Sequence, residues 1–433
     1  MTTFNRRDFL RVGGTGLFGM SFPDFFRAQA AAKPGGKAKQ MILLWMSGGP
    51  PHQDMFDMKP DTPPPYGSEL KPTQTNVPGI EFCELMPRLA KNADKFTILR
   101  SVGIGTEKWE HSGGLYWLCG NPRTKDTLKH PMFGSVIAKE SPAKGGLPTY
   151  VSFGPYGDAG DIQTNFLGPA YDPLMFKPGD ARDEVGAMLV PPAQLDVPGQ
   201  QRREDLLKVL DRQLRRLDAA EPLIQGLDQF QQSAFDLLRS PKLREAVDPK
   251  KLDPKDIERY GKNEQGMHML YARKLIEAGV PFVGVPWPGW DLHGSVTASC
   301  KTKLPVFDAL LASLLEDLAE RGLLETTIVT ALGEMGRDKI WKDPSYSGPP
   351  GRNHHGTCQF VIVAGGGFKN GMVLGKTDAN AMQVVENAYS PISYGRTLYH
   401  LLGVDPDKEL YTTNGRPVKI IADDAPLIRE VIA

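Results

Sequence analysis

The chain has 433 residues, 40% of them hydrophobic and 24% charged, which is enough to bury a large core. Lys+Arg and Asp+Glu both number 51, so the formal net charge is zero, and the balance gives no reason to expect nucleic acid or an anionic membrane surface as partner. Glycine (46) and proline (37) are abundant and fall between periodic segments, which implies many loops and no low-complexity block.

Residues 1–32 read as an export signal. Asn5-Arg6-Arg7-Asp8-Phe9-Leu10 resembles the twin-arginine box, and an apolar, glycine-rich stretch from Val12 to Phe22 follows, too short to span a bilayer. Small residues at Ala28, Ala30, Ala31 and Ala32 suit a signal peptidase. The expected route is the twin-arginine export machinery, ending in the periplasm or outside the cell. No later run approaches the roughly 18 apolar residues of a transmembrane helix, so no stable membrane span is expected after signal removal. Such cargo crosses folded and much of it first acquires a metal or cofactor, which weakly favours a metalloprotein. Cys83, Cys119, Cys300 and Cys358 lie far apart with no CxxC pair, so neither a zinc knuckle nor a redox motif is present; disulfides and buried thiols both remain open.

The remaining chain, 33–433, opens with Met41 to Met46, apolar on both faces as a central strand would be. It stops at Ser47-Gly48-Gly49-Pro50-Pro51. A helix is expected from Leu85 to Ala93, a strand from Phe96 to Leu99, a helix starting near Ser112 and a strand from Thr149 to Phe153. Residues 155–200 read as long loops. A helical insertion is expected over about 200–262, where Leu206, Leu210, Leu214 and Leu217 recur at helical spacing. Alternation then returns: helix Gln265 to Glu277, strand Phe282 to Pro286, helix Leu304 to Arg321, strand Thr326 to Leu332, a loop, strand Phe360 to Ala364 and helix Ile392 to Leu402. This pattern predicts an α/β fold: a three-layer α/β/α sandwich with a mostly parallel central sheet, its functional groups in loops beyond the carboxyl ends of the strands.

Three clusters occupy such loops. In Trp290-Asp291-Leu292-His293-Gly294 the acid and the imidazole are two apart, so on extended chain they share a face and can address one ion. In Leu332-Gly333-Glu334-Met335-Gly336-Arg337-Asp338 the carboxylate is flanked by glycines that allow close approach, and Arg337 could fork onto an anion. In Gly351-Arg352-Asn353-His354-His355-Gly356 adjacent histidines point different ways, so one would ligate and the other contact substrate or solvent. Asp, His, Glu and His from successive strand ends make a divalent-metal set, with zinc first and manganese or calcium as alternatives. His111 and Ser112 stand at a helix start, where His111 or a metal could activate Ser112 as a nucleophile, or His111 could itself ligate.

The order of these motifs resembles the alkaline-phosphatase and sulfatase superfamily, most clearly from Leu315 to Gly336 and from Thr397 to Asp405 followed by Asn414 to Pro417. Glu334 falls where that superfamily has the Asp of a metal pair, and His355 sits like a late metal histidine. More narrowly, the chain is similar to an exported bacterial family, domain of unknown function 1501. The matching pieces are Ser47-Gly48-Gly49-Pro50 with Asp54 and Asp57, Arg100-Ser101 with His111, the three clusters above, Ala364 to Gly371 and Gly375 to Asp378. The resemblance implies an alkaline-phosphatase-like domain. Two departures stand out: the first strand ends in Ser47-Gly48 where the superfamily has aspartates, and the Cys-x-Pro-x-Arg sulfatase signature is absent.

The expected function is a metal-dependent hydrolase of phosphate or sulfate esters, acting on an anionic small molecule or polysaccharide. Asp291, His293, Glu334 and His354 or His355, with Asp54 or Asp57 reaching back, would hold metal. Ser112, His111 and Arg337 would do the chemistry, and Arg352 and His355 would bind substrate. The alternative is a non-catalytic module on the same fold, recognising sulfated glycans or a surface partner; a phosphomutase is a third option.

Overall fold

A computed structural model describes residues 36–105, 111–121, 129–157, 165–176, 240–345, 348–412, 414–421 and 424–433. The expected export signal lies outside the described residues, as does most of the expected insertion.

Eight strands form the central sheet: β1 (Gln40–Met46), β2 (Thr97–Val102), β3 (Tyr150–Ser152), β4 (Leu174–Met175), β5 (Phe282–Trp287), β6 (Thr327–Leu332), β9 (Gln359–Ala364) and β10 (Met372–Leu374). They lie in the order β10-β2-β9-β6-β1-β5-β3-β4. Every recorded pairing is parallel except those of β9, which runs antiparallel between β2 and β6. Two further strands, β7 (Gly336–Trp341) and β8 (Gly351–His355), pair with each other as a separate antiparallel ribbon. The sequence suggested only a loop there, because Gly-Arg-Asp-Lys-Ile-Trp carries charges where a strand signal needs apolar residues.

The lack of polar alternation in β1 has a direct cause. Ile42, Leu44 and Met46 enter one core, while Met41, Leu43 and Trp45 enter the other. Helices therefore cover both faces of the sheet. On the first face lie α5 (Glu264–Ala278) and α6 (Val296–Glu320), whose Leu304, Phe307, Leu311, Leu314 and Leu318 recur at helical spacing and are fully buried. On the second lie α1 (Gly114–Cys119), α2 (Phe133–Glu140) and α7 (Pro391–Leu401), through Trp117, Val136, Ile137 and Leu398. Each large apolar side chain so buried contributes about 1.5–3 kcal/mol. Helix α6 starts two turns earlier than its leucine pattern suggests, directly after the Asp291–His293 segment.

The described end of the expected insertion carries α3 (Pro241–Val247) and α4 (Pro254–Tyr260), capped by the Ser240 and Asp253 side chains. Arg259 of α4 docks on α6 through Asp317 (2.6 Å), Glu320 (2.9 Å) and Glu316 (3.1 Å). All four cysteines are buried free thiols.

Candidate metal centre

Strands β6, β1 and β5 are adjacent and in register at their carboxyl ends: Met46 lies opposite Trp287, and Trp45 opposite Leu332. The segments after them leave the sheet at one edge. They are tied there by backbone bonds, Ser47 N–H to Trp287 O (3.0 Å) and Trp290 N–H to Ser47 O (2.9 Å). Gly48 sits at φ +113°, and a Cβ on it would fall 2.2 Å from the Asp291 backbone nitrogen. No other residue fits that crossing without moving the Asp291 loop. The ribbon joins from the side, through Arg352 N–H to Leu292 O (2.9 Å).

This scaffold brings together His111, Asp291, His293, Glu334 and His354. Asp291 Oδ1 lies 2.9 Å from His293 Nε2 and 3.2 Å from His354 Nε2, and the two Nε2 atoms are 3.0 Å apart. His111 spans the remaining gap, with Nδ1 2.8 Å from Glu334 Oε1 and Nε2 3.4 Å from Asp291 Oδ2. The Gly48 N–H also donates to Glu334 Oε1, at 2.7 Å. One ligand atom each from His111, Asp291 and His354 lie within 4.8 Å of one another.

These residues fit a divalent cation on two counts. Asp291 Oδ1 and the Nε2 atoms of His293 and His354 converge within 2.9–3.2 Å of one another, nitrogen and oxygen donors in the number and spacing that a cation can share. Glu334 is fully buried, yet its Oε2 has no hydrogen-bond partner among the described residues, a costly state for a carboxylate oxygen unless a cation meets it. The mixed nitrogen and oxygen donors suit zinc or manganese better than calcium, which prefers oxygen alone.

The electrostatics follow from the same contacts. Hydrogen bonds to Asp291 and then Glu334 raise the His111 imidazole to about 10, outweighing its partial burial. Burial alone would push the Asp291 carboxyl up. Hydrogen bonds from His111 and His354, with the charge and hydrogen bond of Arg337, outweigh it and hold Asp291 far below the usual carboxylate range.

Arg337, Arg352, Asp54, His355 and Asp57 do not take the places expected of them. Arg337 was expected to receive an anion, but its guanidinium is fully buried. It donates to Gly49 O (2.7 Å), Trp290 O (3.0 Å), Arg352 O (3.1 Å), Gly48 O and Asp291 Oδ1 (2.6 Å). It clamps the loops after β1 and β5 to β8 and aims Asp291. Arg352 was expected to bind substrate; it too is fully buried, paired with Asp54 at 2.8 Å and donating to Gly67 O (3.0 Å) and Asp338 O (3.1 Å). That pair removes Asp54 from the metal set, since its carboxylate is taken by Arg352 and by Ser68 Oγ (2.6 Å). His355 is buried with Nε2 2.6 Å from Met382 O, on the opposite side of β8 from His354. Nor does Asp57 reach the centre: it pairs with Lys59 at 3.0 Å and accepts from Thr377. Ser112 belongs to the turn His111–Gly113; its side chain lies outside the described part.

Asn353 escaped the sequence reading. Its Oδ1 lies 2.8 Å from His293 Nδ1. The cue was its place beside His354, but neighbours on a regular strand face apart.

The family model described as "Protein of unknown function (DUF1501)" matches residues 38–432. No curated protein matches the chain. Among solved structures it is similar to the lipoteichoic acid synthase LtaP from Listeria monocytogenes, at 8% identity over 87% of this chain and 78% of that one, with a TM-score of 0.36. It is also similar to a protein in the alkaline phosphatase superfamily from Vibrio parahaemolyticus (10% identity, 90% and 78% covered, TM-score 0.37). A third likeness is to the PsFucS1 sulfatase from Pseudoalteromonas sp. (11% identity, 88% and 70% covered, TM-score 0.36).

Proposed function

Since the chain belongs to the DUF1501 family, whose description assigns no activity, we propose from its own side chains that it is an exported, metal-dependent hydrolase of phosphate or sulfate esters. The observation that carries this reading is the convergence of His111, Asp291, His293, Glu334 and His354 at the carboxyl edge of the sheet. A divalent cation held there supplies Lewis acidity toward an ester oxygen.

The chain's own groups do the rest. Asp291 and Glu334 bring two carboxylates, and buried Arg337 offsets one. A dication therefore leaves the centre net positive and attractive to an anionic ester. With Arg337 and Arg352 both turned inward, the substrate's charge falls to the cation and to His111. The His111 imidazole, between Glu334 and Asp291, is the group placed to hold a proton at Nε2. Ser112, next to it in the chain, is the candidate nucleophile. The resemblance of residues 1–32 to a twin-arginine signal supports a reaction in the periplasm or outside the cell, and no described helix is long and apolar enough to cross a membrane.

The test is turnover of 4-nitrophenyl phosphate and 4-nitrophenyl sulfate by the full chain, with and without chelator. Turnover of either that stops with chelator and returns with zinc or manganese supports the reading; none under any metal condition contradicts it. A second reading, a non-catalytic module for sulfated glycans, draws on the absence of a carboxylate where β1 ends in Ser47-Gly48. It requires polysaccharide binding without turnover.

A further inference from the structure

Pairing within the ribbon slips by one residue between Arg352 and His354: Arg352 faces Ile340, while His354 faces Arg337. Asp338 and Lys339 thus stand opposite Asn353 alone, which makes a bulge on β7. Bulges re-aim the side chains around them. Here the outcome is specific, because Asn353 and His354 are sequence neighbours that a regular strand would send to opposite faces. Instead both reach His293. Asn353 Oδ1 meets the Nδ1 end of that imidazole at 2.8 Å, and His354 Nε2 meets the Nε2 end at 3.0 Å.

An amide oxygen only accepts, so His293 Nδ1 must carry the proton of that bond. A neutral imidazole with Nδ1 protonated has its lone pair on Nε2, the atom 2.9 Å from Asp291 Oδ1. We propose that Asn353 is a positioning residue: through its bond to Nδ1 it fixes the tautomer and ring angle of His293 and commits Nε2 to the cation. The proposal rests on the metal-centre reading above. The choice of an amide has its own consequence. A carboxylate in this place would make the imidazole a more basic ligand and would add negative charge beside a centre that needs a net positive one to receive an anionic ester.

The direct experiment is nitrogen-15 NMR of the histidine rings in metal-free protein, with His293 assigned by comparison with His293→Gln. Protonation at Nδ1 is expected; protonation at Nε2 overturns the proposal whether or not the protein binds metal. Chelator competition with zinc then reads affinity. Asn353→Leu should weaken zinc about 10- to 100-fold, the usual cost of losing such a partner. Asn353→Asp, which keeps the acceptor, should bind at least as tightly as the parent chain. Thermal melts of the metal-free variants check folding, and the NMR result stands even where Asn353→Leu fails to fold. Equal zinc affinity in Asn353→Leu and the parent, or an equal loss in Asn353→Leu and Asn353→Asp, overturns the proposal. Failure of the parent chain to bind any metal would sink the metal-centre reading, whereas the tautomer result concerns Asn353 alone.

Discussion

Two layers built from the same short motifs differ in what they face. The upper layer is His111, Asp291, His293, Glu334 and His354, with ring nitrogens and carboxylate oxygens turned toward one another. Beneath it, Arg337, Arg352, Asp54 and His52 form a layer in which polar atoms meet polar atoms of the protein itself. Glu334 and Arg337 are three residues apart, and Arg352 and His354 two, yet each pair divides between the layers. An arginine in a glycine-rich loop after a strand is chemically suited to an anion. In this chain both such arginines spend their donors on backbone carbonyls and on the carboxylates of Asp291 and Asp54, and thereby hold the loops that carry the candidate ligands.

The division predicts opposite signatures for substitutions in the two layers. Arg352→Met should have the largest effect on stability, because it leaves the Asp54 carboxylate buried and unpaired. A loss of about 3–5 kcal/mol in urea unfolding is expected. Little change would mean that Arg352 faces outward after all.

His52 offers a pH probe of the lower layer. Burial lowers its imidazole to about 4 from an ordinary 6.5, and it accepts the Arg337 backbone N–H at 3.2 Å. The unfolded chain therefore binds a proton between about pH 6.5 and 4 that the folded chain refuses. Stability should be complete above pH 6.5 and fall as pH drops through that window, by on the order of 3 kcal/mol. His52→Gln should flatten this part of the profile; an unchanged slope would rule His52 out as its source.

Gly48→Ala tests the join between layers. The strained φ and the Cβ beside Asp291 should cost about 1–3 kcal/mol and weaken metal binding as the loop shifts. The smallest stability effect is expected in the upper layer. His354→Ala should change the unfolding of metal-free protein by about 1 kcal/mol or less, while removing a candidate ligand. A large destabilisation would place His354 with the packing residues.

The sheet was legible where the physics is local. Strands β1, β5, β6 and β9 are short runs of apolar residues with no polar face, which only a sheet covered on both sides explains. The loops after β5 and β6 marked Asp291, His293 and Glu334 as candidates, and the segment before β9 marked His354. What stayed hidden depends on distant partners. His111 and Glu334 are 223 residues apart, and nothing near either one specifies the 2.8 Å contact between them. The inward turn of Arg352 depends on Asp54, 298 residues away. The role of Asn353 depends on a one-residue slip in a ribbon whose charged sequence reads as loop.

The proposed chemistry requires a cation shared by Asp291, His293 and His354, and elemental analysis of the purified full chain tests for it most directly. Stoichiometric zinc or manganese is expected, and Asp291→Ala combined with His293→Ala should remove most of it while the fold persists. A parent chain that is metal-free as isolated, and stays so after dialysis against zinc, manganese and calcium, would contradict it.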